Sequence, residues 1–223
     1  MFSRERVLIG DKINKLHNAN VIIFGVGGVG GYALEMLVRA GIENITIVDY
    51  DNVDISNKNR QIIALDSTIG KSKVSVCVDR VKDINKACNI VAINDKLTPE
   101  NIDNFDLKNY DFIIDAIDMV TSKIALIKYA KENKIPIISA MGVGNRFEIP
   151  QFEITDIFKT SGDGLAKVLR KKLRESGINE HKVVYCKNNA ISNGENKVIG
   201  SISYYPAISG CMIASYVINE LIK

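Results

Sequence analysis

The stretch Val21-Ile22-Ile23-Phe24-Gly25-Val26-Gly27-Gly28-Val29-Gly30 decides the fold. Its four leading apolar residues, three of them β-branched, read as a short strand, and the glycines open directly onto a helical segment near 30–40. Glycine permits a tight turn and lets phosphate oxygens approach the backbone. The helix N-terminus adds oriented N–H groups and the positive end of its dipole. Asp49 ends the next apolar run, 19 residues after Gly30, where a carboxylate can accept hydrogen bonds from ribose hydroxyls. Such glycines can also serve close helix–strand packing alone. With strand, helix and acid in one register, a nucleotide site is the reading favoured.

Outward from this loop, Ile45-Thr46-Ile47-Val48, Ile90-Val91-Ala92-Ile93, Phe112-Ile113-Ile114 and Ile135-Pro136-Ile137-Ile138 are further short apolar runs. Helical segments near 70–85 and 119–133 separate them. Near-continuous apolar strands alternating with amphipathic helices predict an α/β, Rossmann-like doubly wound, mostly parallel sheet covered on both faces. Pro136 lacks a backbone donor, which suits a strand start or an edge. After Ala140 the pattern changes: Gly142 and Gly144 mark a turn, and 146–154 can form one or two strands. Leu165, Val168, Leu169 and Leu173 then repeat at helical spacing up to Gly177. Residues 187–197 (KNNAISNGENK) read as a mobile polar loop. The expectation is one domain over 1–223, with a nucleotide-binding core over 1–145 and an elaboration over 146–223.

The 223 residues, 46% hydrophobic and 25% charged, suffice for a sizeable core. A formal charge of only +3 does not by itself announce nucleic acid. The four cysteines (Cys77, Cys88, Cys186, Cys211) contain no C-x-x-C pair, and the N-terminus has no signal-peptide layout, so a cytoplasmic, soluble protein is expected. Residues 198–219 carry no charge, but Gly200, Pro206, Gly210 and several serines make them poor for lipid. They read as core leading into a packed helix from about Ala207, with no membrane partner.

The glycine fingerprint usually suggests NAD, yet Asn57, Asn59, Arg60 and Gln61 follow the second strand, and Lys71 and Lys73 open the next helix. Strand ends of a doubly wound sheet converge on one crevice, so these cations could surround a triphosphate and stabilise charge built up at phosphorus. Taken alone, they would more often be plain surface charge. Asp115-Ala116-Ile117-Asp118 ends the fourth strand. A carboxylate there can hold Mg²⁺ against phosphate oxygens, or Asp118 can cap the following helix.

Taken together, GVGGVG, IVDYDNVDISNKNRQ, GKSK and DAID resemble the ThiF–MoeB–HesA adenylating superfamily, relatives of the ubiquitin-activating enzymes. The resemblance implies Mg-ATP-dependent conversion of a carboxylate into an acyl-adenylate. It implies that the glycines Gly25, Gly27, Gly28 and Gly30, with Asp49, Asp51, Asn57, Arg60 and Lys73, bind the nucleotide. Asp118 would hold magnesium, and Arg60, Lys73, Asp118 and Arg4 would carry the chemistry. Arg4 looks like the arginine that such enzymes insert into a neighbouring subunit's site, which implies a homodimer. The resemblance also leaves open a monovalent cation and a sulfur-relay protein partner.

The last third, from Gly142-Val143-Gly144-Asn145 through ITDIFKT to Leu173-Arg174, is similar to the tRNA threonylcarbamoyladenosine dehydratases. That likeness implies tRNA carrying threonylcarbamoyladenosine as substrate and makes 146–223 the part that recognises it. It departs from the family at Asp163-Gly164 and at Glu148-Ile149-Pro150, where Asp-Pro pairs are usual. Cys186, flanked by Lys182 and Lys187, is a candidate reactive thiol beside the alternative of a partly buried strand cysteine. Residues 164–187 hold seven Lys/Arg and two Glu, a local +5 against −2 for the rest of the chain. With the likeness in view, Lys167, Arg170, Lys171, Lys172 and Arg174 are expected to contact nucleic acid. Two rival readings share the nucleotide site: adenylation of a ubiquitin-like carrier's C-terminus, and an NAD-binding dehydrogenase or regulatory module.

Overall fold

The computed structural model of the chain describes residues 1–192 and 198–223. Its strands are β1 (Asn20–Phe24), β2 (Asn44–Val48), β3 (Asn89–Ile93), β4 (Phe112–Asp115), β5 (Ile137–Ala140), β6 (Phe152–Asp156) and β7 (Lys182–Cys186). They form one sheet in the order β3-β2-β1-β4-β5-β7-β6, parallel throughout except for β6 against β7. The α-helices are α1 (Ser3–Ile9), α2 (Ile13–Asn18), α3 (Gly30–Arg39), α4 (Lys73–Ile84), α5 (Val120–Glu132), α6 (Gly164–Glu175) and α7 (Tyr204–Leu221).

The strands read as unbroken apolar runs because both faces of the sheet are covered. On β1, Val21 and Ile23 join a core with Leu37, Val74 and Ile213, from α3, α4 and α7. Ile22 and Phe24 join the opposite core with Leu126, Ile127 and Leu169, from α5 and α6. Alternation of side chains across the pleat makes the division. Edge strand β3 escapes it, and Val91 stands exposed. The last third continues the same sheet, since β7 pairs with β5 and β6 folds back on β7.

Boundaries shift for local reasons. Strand β5 starts at Ile137, two residues late, and the Pro136 carbonyl accepts from Ile113 N–H at 2.8 Å. Helix α4 starts at Lys73 because 70–72 are tied to the preceding loop, with Gly70 N–H donating to the Val53 carbonyl at 2.8 Å and Asn52 bridging Ser72. Residues 146–151 form no strand; the expected extended region condenses to β6. Helix α7 begins at Tyr204, ahead of Ala207, and Pro206 falls in its first turn, where a missing N–H costs nothing. On α6, Ala166, Leu169 and Leu173 are buried but Val168 faces outward. No described helix is long and apolar enough to cross a membrane. Of the expected loop, 187–191 is fastened, with Lys187 N–H on the Gln151 carbonyl (2.8 Å) and Ile191 N–H on the Asn145 carbonyl (2.7 Å). Its residues 193–197 lie outside the described residues.

One buried polar group sits between β5 and β7. The His181 ring is hydrogen-bonded through Nε2 to Ser139 Oγ at 2.7 Å, and its Nδ1 has no partner among the described residues. Burial, with the Lys123 and Lys131 charges, pushes its pKa down to about 3.

Candidate active site

Strands β1 and β4 lie side by side, but the chain leaves them toward opposite edges of the sheet. Such a switch point opens a crevice beyond the carboxyl ends of the strands. A cleft of about 760 Å³ occupies it, lined by Gly25, Gly27, Gly28, Asp49, Asp51, Asn57, Arg60, Lys73 and Asp118. Gly25 has φ +84°, and a Cβ there would stand 2.8 Å from the Ala116 carbonyl oxygen. Gly30 opens α3 instead of lining the cleft; a Cβ on it would stand 1.8 Å from the Gly25 carbonyl oxygen. The first three glycines thus expose backbone to a ligand, and the fourth permits the helix to start against the loop.

Asp49 braces this loop. Its Oδ2 accepts from Val26 N–H at 2.8 Å and its Oδ1 from Asp51 N–H at 2.9 Å. Asp51 pairs with the buried Lys73 ammonium at 2.7 Å, and both line the cleft. Asn57 accepts Asp54 N–H at 3.1 Å and completes a capping box, so its Oδ1 is committed, and its amide nitrogen lies 3.5 Å from Ser56 Oγ. The Arg60 guanidinium is steered by the Ser56 carbonyl (2.8 Å) and Asn59 Oδ1 (2.9 Å). Two further groups line the cleft: Lys96, whose ammonium lies over the Tyr50 ring, and Gln61, whose buried Oε1 has no partner among the described residues.

The two acids of DAID divide. Asp115 is fully buried and bound to the equally buried Lys123 ammonium at 2.8 Å, which also donates to the Ala140 carbonyl at 3.1 Å. Asp118 remains on the cleft, and it does not cap α5, whose N-cap is Met119 without a side-chain bond. Asp51 first, then burial, Asp118 and Asp49 raise the Tyr50 phenol pKa, so carboxylates converge on this wall. Among the described residues no three His, Cys, Asp or Glu side chains form a metal cage.

Other expected residues stand apart. Arg4 is exposed on α1 and does not reach this cleft. Cys186 is 1% exposed, its thiol donates to Asn188 Oδ1 at 3.1 Å, and Lys187 pairs with Glu153 instead of with it. That burial favours the alternative of a strand cysteine packed in the fold. On α6, Lys167, Lys171 and Lys172 are exposed, but Arg170 is turned onto Thr160 and Arg174 stacks 5.0 Å from the Phe158 ring centroid. Its N-cap Asp163 abuts Gly142 on the way to the cleft wall at Val143 and Gly144.

The profile of the ThiF family matches residues 2–223. The chain belongs to the ThiF family. Among ThiF proteins it is 37% identical over 240 residues to the tRNA threonylcarbamoyladenosine dehydratase of Bacillus subtilis, covering 100% of this chain and 94% of that one. It superposes on crystal structures of the Escherichia coli tRNA N6-threonylcarbamoyladenosine dehydratase TcdA with AMP (TM-score 0.93) and with ATP (TM-score 0.92). Both are 32% identical, with 99% of this chain and 93% of TcdA covered. The molybdopterin-synthase adenylyltransferase of Haemophilus influenzae is more distant, 29% identical over 163 residues, 73% of this chain and 66% of that one. The chain is a ThiF-type adenylating enzyme of the dehydratase branch.

Proposed function

We propose that this chain uses ATP to dehydrate threonylcarbamoyladenosine in tRNA. The observation that carries the reading is the convergence of the glycine loop, Arg60, Lys73 and Asp118 on one cleft whose far wall joins a basic helix. The loop N–H groups and the α3 N-terminus would cradle phosphates, and Asp49 would take the ribose hydroxyls. Asp118 would hold Mg²⁺, which when bound neutralises phosphate charge. Arg60 and Lys73 would stabilise the negative charge that develops as the threonyl carboxylate oxygen attacks the α-phosphorus and pyrophosphate leaves. Attack within the same nucleoside on the acyl carbon then closes a ring and releases AMP. The balance is loss of one water, its oxygen leaving on AMP, so no protein nucleophile is required. That agrees with the buried Cys186 thiol.

Arg4 lies outside its own cleft, so it would act in the cleft of a second copy. A carrier-protein substrate is disfavoured by the greater distance of the carrier-adenylating relative. Incubation with ATP, Mg²⁺ and tRNA bearing threonylcarbamoyladenosine tests the reading by mass spectrometry of the nucleosides. Loss of 18 mass units, about one water, is expected for an acyl activation of this kind. An unchanged nucleoside, with pyrophosphate exchange that needs a small carrier protein, overturns it.

A further inference from the structure

Arg146 is a buried cation that the nucleotide chemistry does not use, and three parts of the chain meet on it. Its Nη1 donates to the carbonyls of Gly142 at 3.0 Å and Gly144 at 3.1 Å. Its Nε donates to the Asn188 carbonyl at 2.8 Å, just beyond β7. Its Nη2 lies 3.6 Å from Asp163 Oδ2, with the two side chains 4% and 2% exposed. Asp163 caps α6 through Oδ1, which accepts Ala166 N–H at 2.8 Å, while its Oδ2 has no hydrogen bond among the described residues.

A carboxylate this deep needs a countercharge, and the guanidinium is the cation given to it. Because the guanidinium is planar and carries donors at fixed angles, it sets orientation as well as distance. Its Nη1 donors are spent on the 142–144 backbone and its Nε on Asn188, and Val143 and Gly144 line the cleft. The wall of the cleft and the first turn of the basic helix are therefore held on one rigid group.

We propose that Arg146 is a positioning residue that registers the cleft wall 142–144 against the N-terminus of α6. A nucleic acid held along α6 thereby presents its carboxylate at the nucleotide side of the cleft. This rests on the reaction proposed above. Arg146 touches neither substrate, so replacing it spares both affinities and lowers kcat.

The test compares Arg146→Met, Arg146→Lys and Asp163→Asn in the full chain. Affinities for ATP and for the modified tRNA are expected within about twofold of wild type, and kcat of Arg146→Met to fall about 100-fold, as a displacement near 1 Å does. Arg146→Lys should recover part of that loss, and the Arg146→Met/Asp163→Asn pair should be no worse than Arg146→Met alone, because both changes cut one link. A kcat within about threefold of wild type overturns the proposal, and so does a loss of either affinity in proportion to kcat. If Arg146→Met does not fold, the other two variants report the same split. Hydrogen exchange separates this inference from the reaction itself. Without any substrate, the 142–145 amides of Asp163→Asn should exchange about tenfold faster. Unchanged exchange overturns the tie. A wild-type chain that leaves the tRNA nucleoside intact overturns the reaction instead and leaves the exchange result standing.

Discussion

Asp115 and Asp118 are three residues apart, and burial alone separates their roles. Asp115 lies with Lys123 under the sheet's edge of the cleft, where loss of one partner would strand a charge at a cost of about 3–5 kcal/mol. Asp118 has the cleft before it and no cap to make. His181 is a third buried group with a measurable consequence. Its folded pKa, about 3, lies below its ordinary value of 6.5, so the unfolded chain takes up a proton that the folded chain refuses. The stability is fully present above pH 6.5 and is lost as pH falls from there toward 3, by up to roughly 1.4 kcal/mol per pH unit. Urea midpoints at pH 7 and pH 5 should therefore differ in the wild type and differ less in His181→Gln. Equal pH dependence in the two proteins would contradict a neutral buried imidazole.

At the scale of elements, α6 is the helix proposed to hold the outer part of the substrate. Lys167, Lys171 and Lys172 stand in solvent, Lys171 and Lys172 within 4.0 and 3.1 Å of Glu175, while Arg170 and Arg174 are turned onto Thr160 and Phe158. Replacing the three lysines with glutamine should weaken tRNA binding and reduce the slope of log affinity against log salt by about 2, with ATP affinity unchanged. An unchanged slope would remove α6 from the RNA contact. The nucleotide loop was legible in the sequence because its signals are local: a strand period, glycines at fixed offsets and an acid at the end of the next strand. The basic helix was legible as a pattern, but which cations stay free was not. Arg170 and Arg174 find partners 10 and 16 residues back, and no helical period foretells that. The same holds for Lys123 and Arg146, charged residues whose burial depends on strand ends brought together only by the fold. Helix α1 gave no apolar stripe because none of its residues is buried.

At the scale of the whole molecule, one sheet carries both the nucleotide loop and the last third. The crevice opens at the carboxyl ends of β1 and β4 and is also lined by Gly200, Ser201 and Pro206 from the last third, while β7 and β6 continue the sheet beyond β5. Helix α1 leaves Val7 and Leu8 more than four-fifths exposed beside Arg4, the surface expected where a second copy would lie. Arg4→Ala and Asp118→Ala should each abolish turnover while keeping the fold. Mixed after subunit exchange, they should recover about a quarter of wild-type activity, since half the dimers are mixed and each restores one of two sites. No recovery would place Arg4 outside the partner's site. The central claim is that ATP activates the substrate's own carboxylate, and the fate of one oxygen atom tests it most directly. With ¹⁸O in the threonyl carboxylate of the modified tRNA, the AMP released during dehydration should carry one labelled oxygen. Unlabelled AMP from a nucleoside that has lost water would contradict the account.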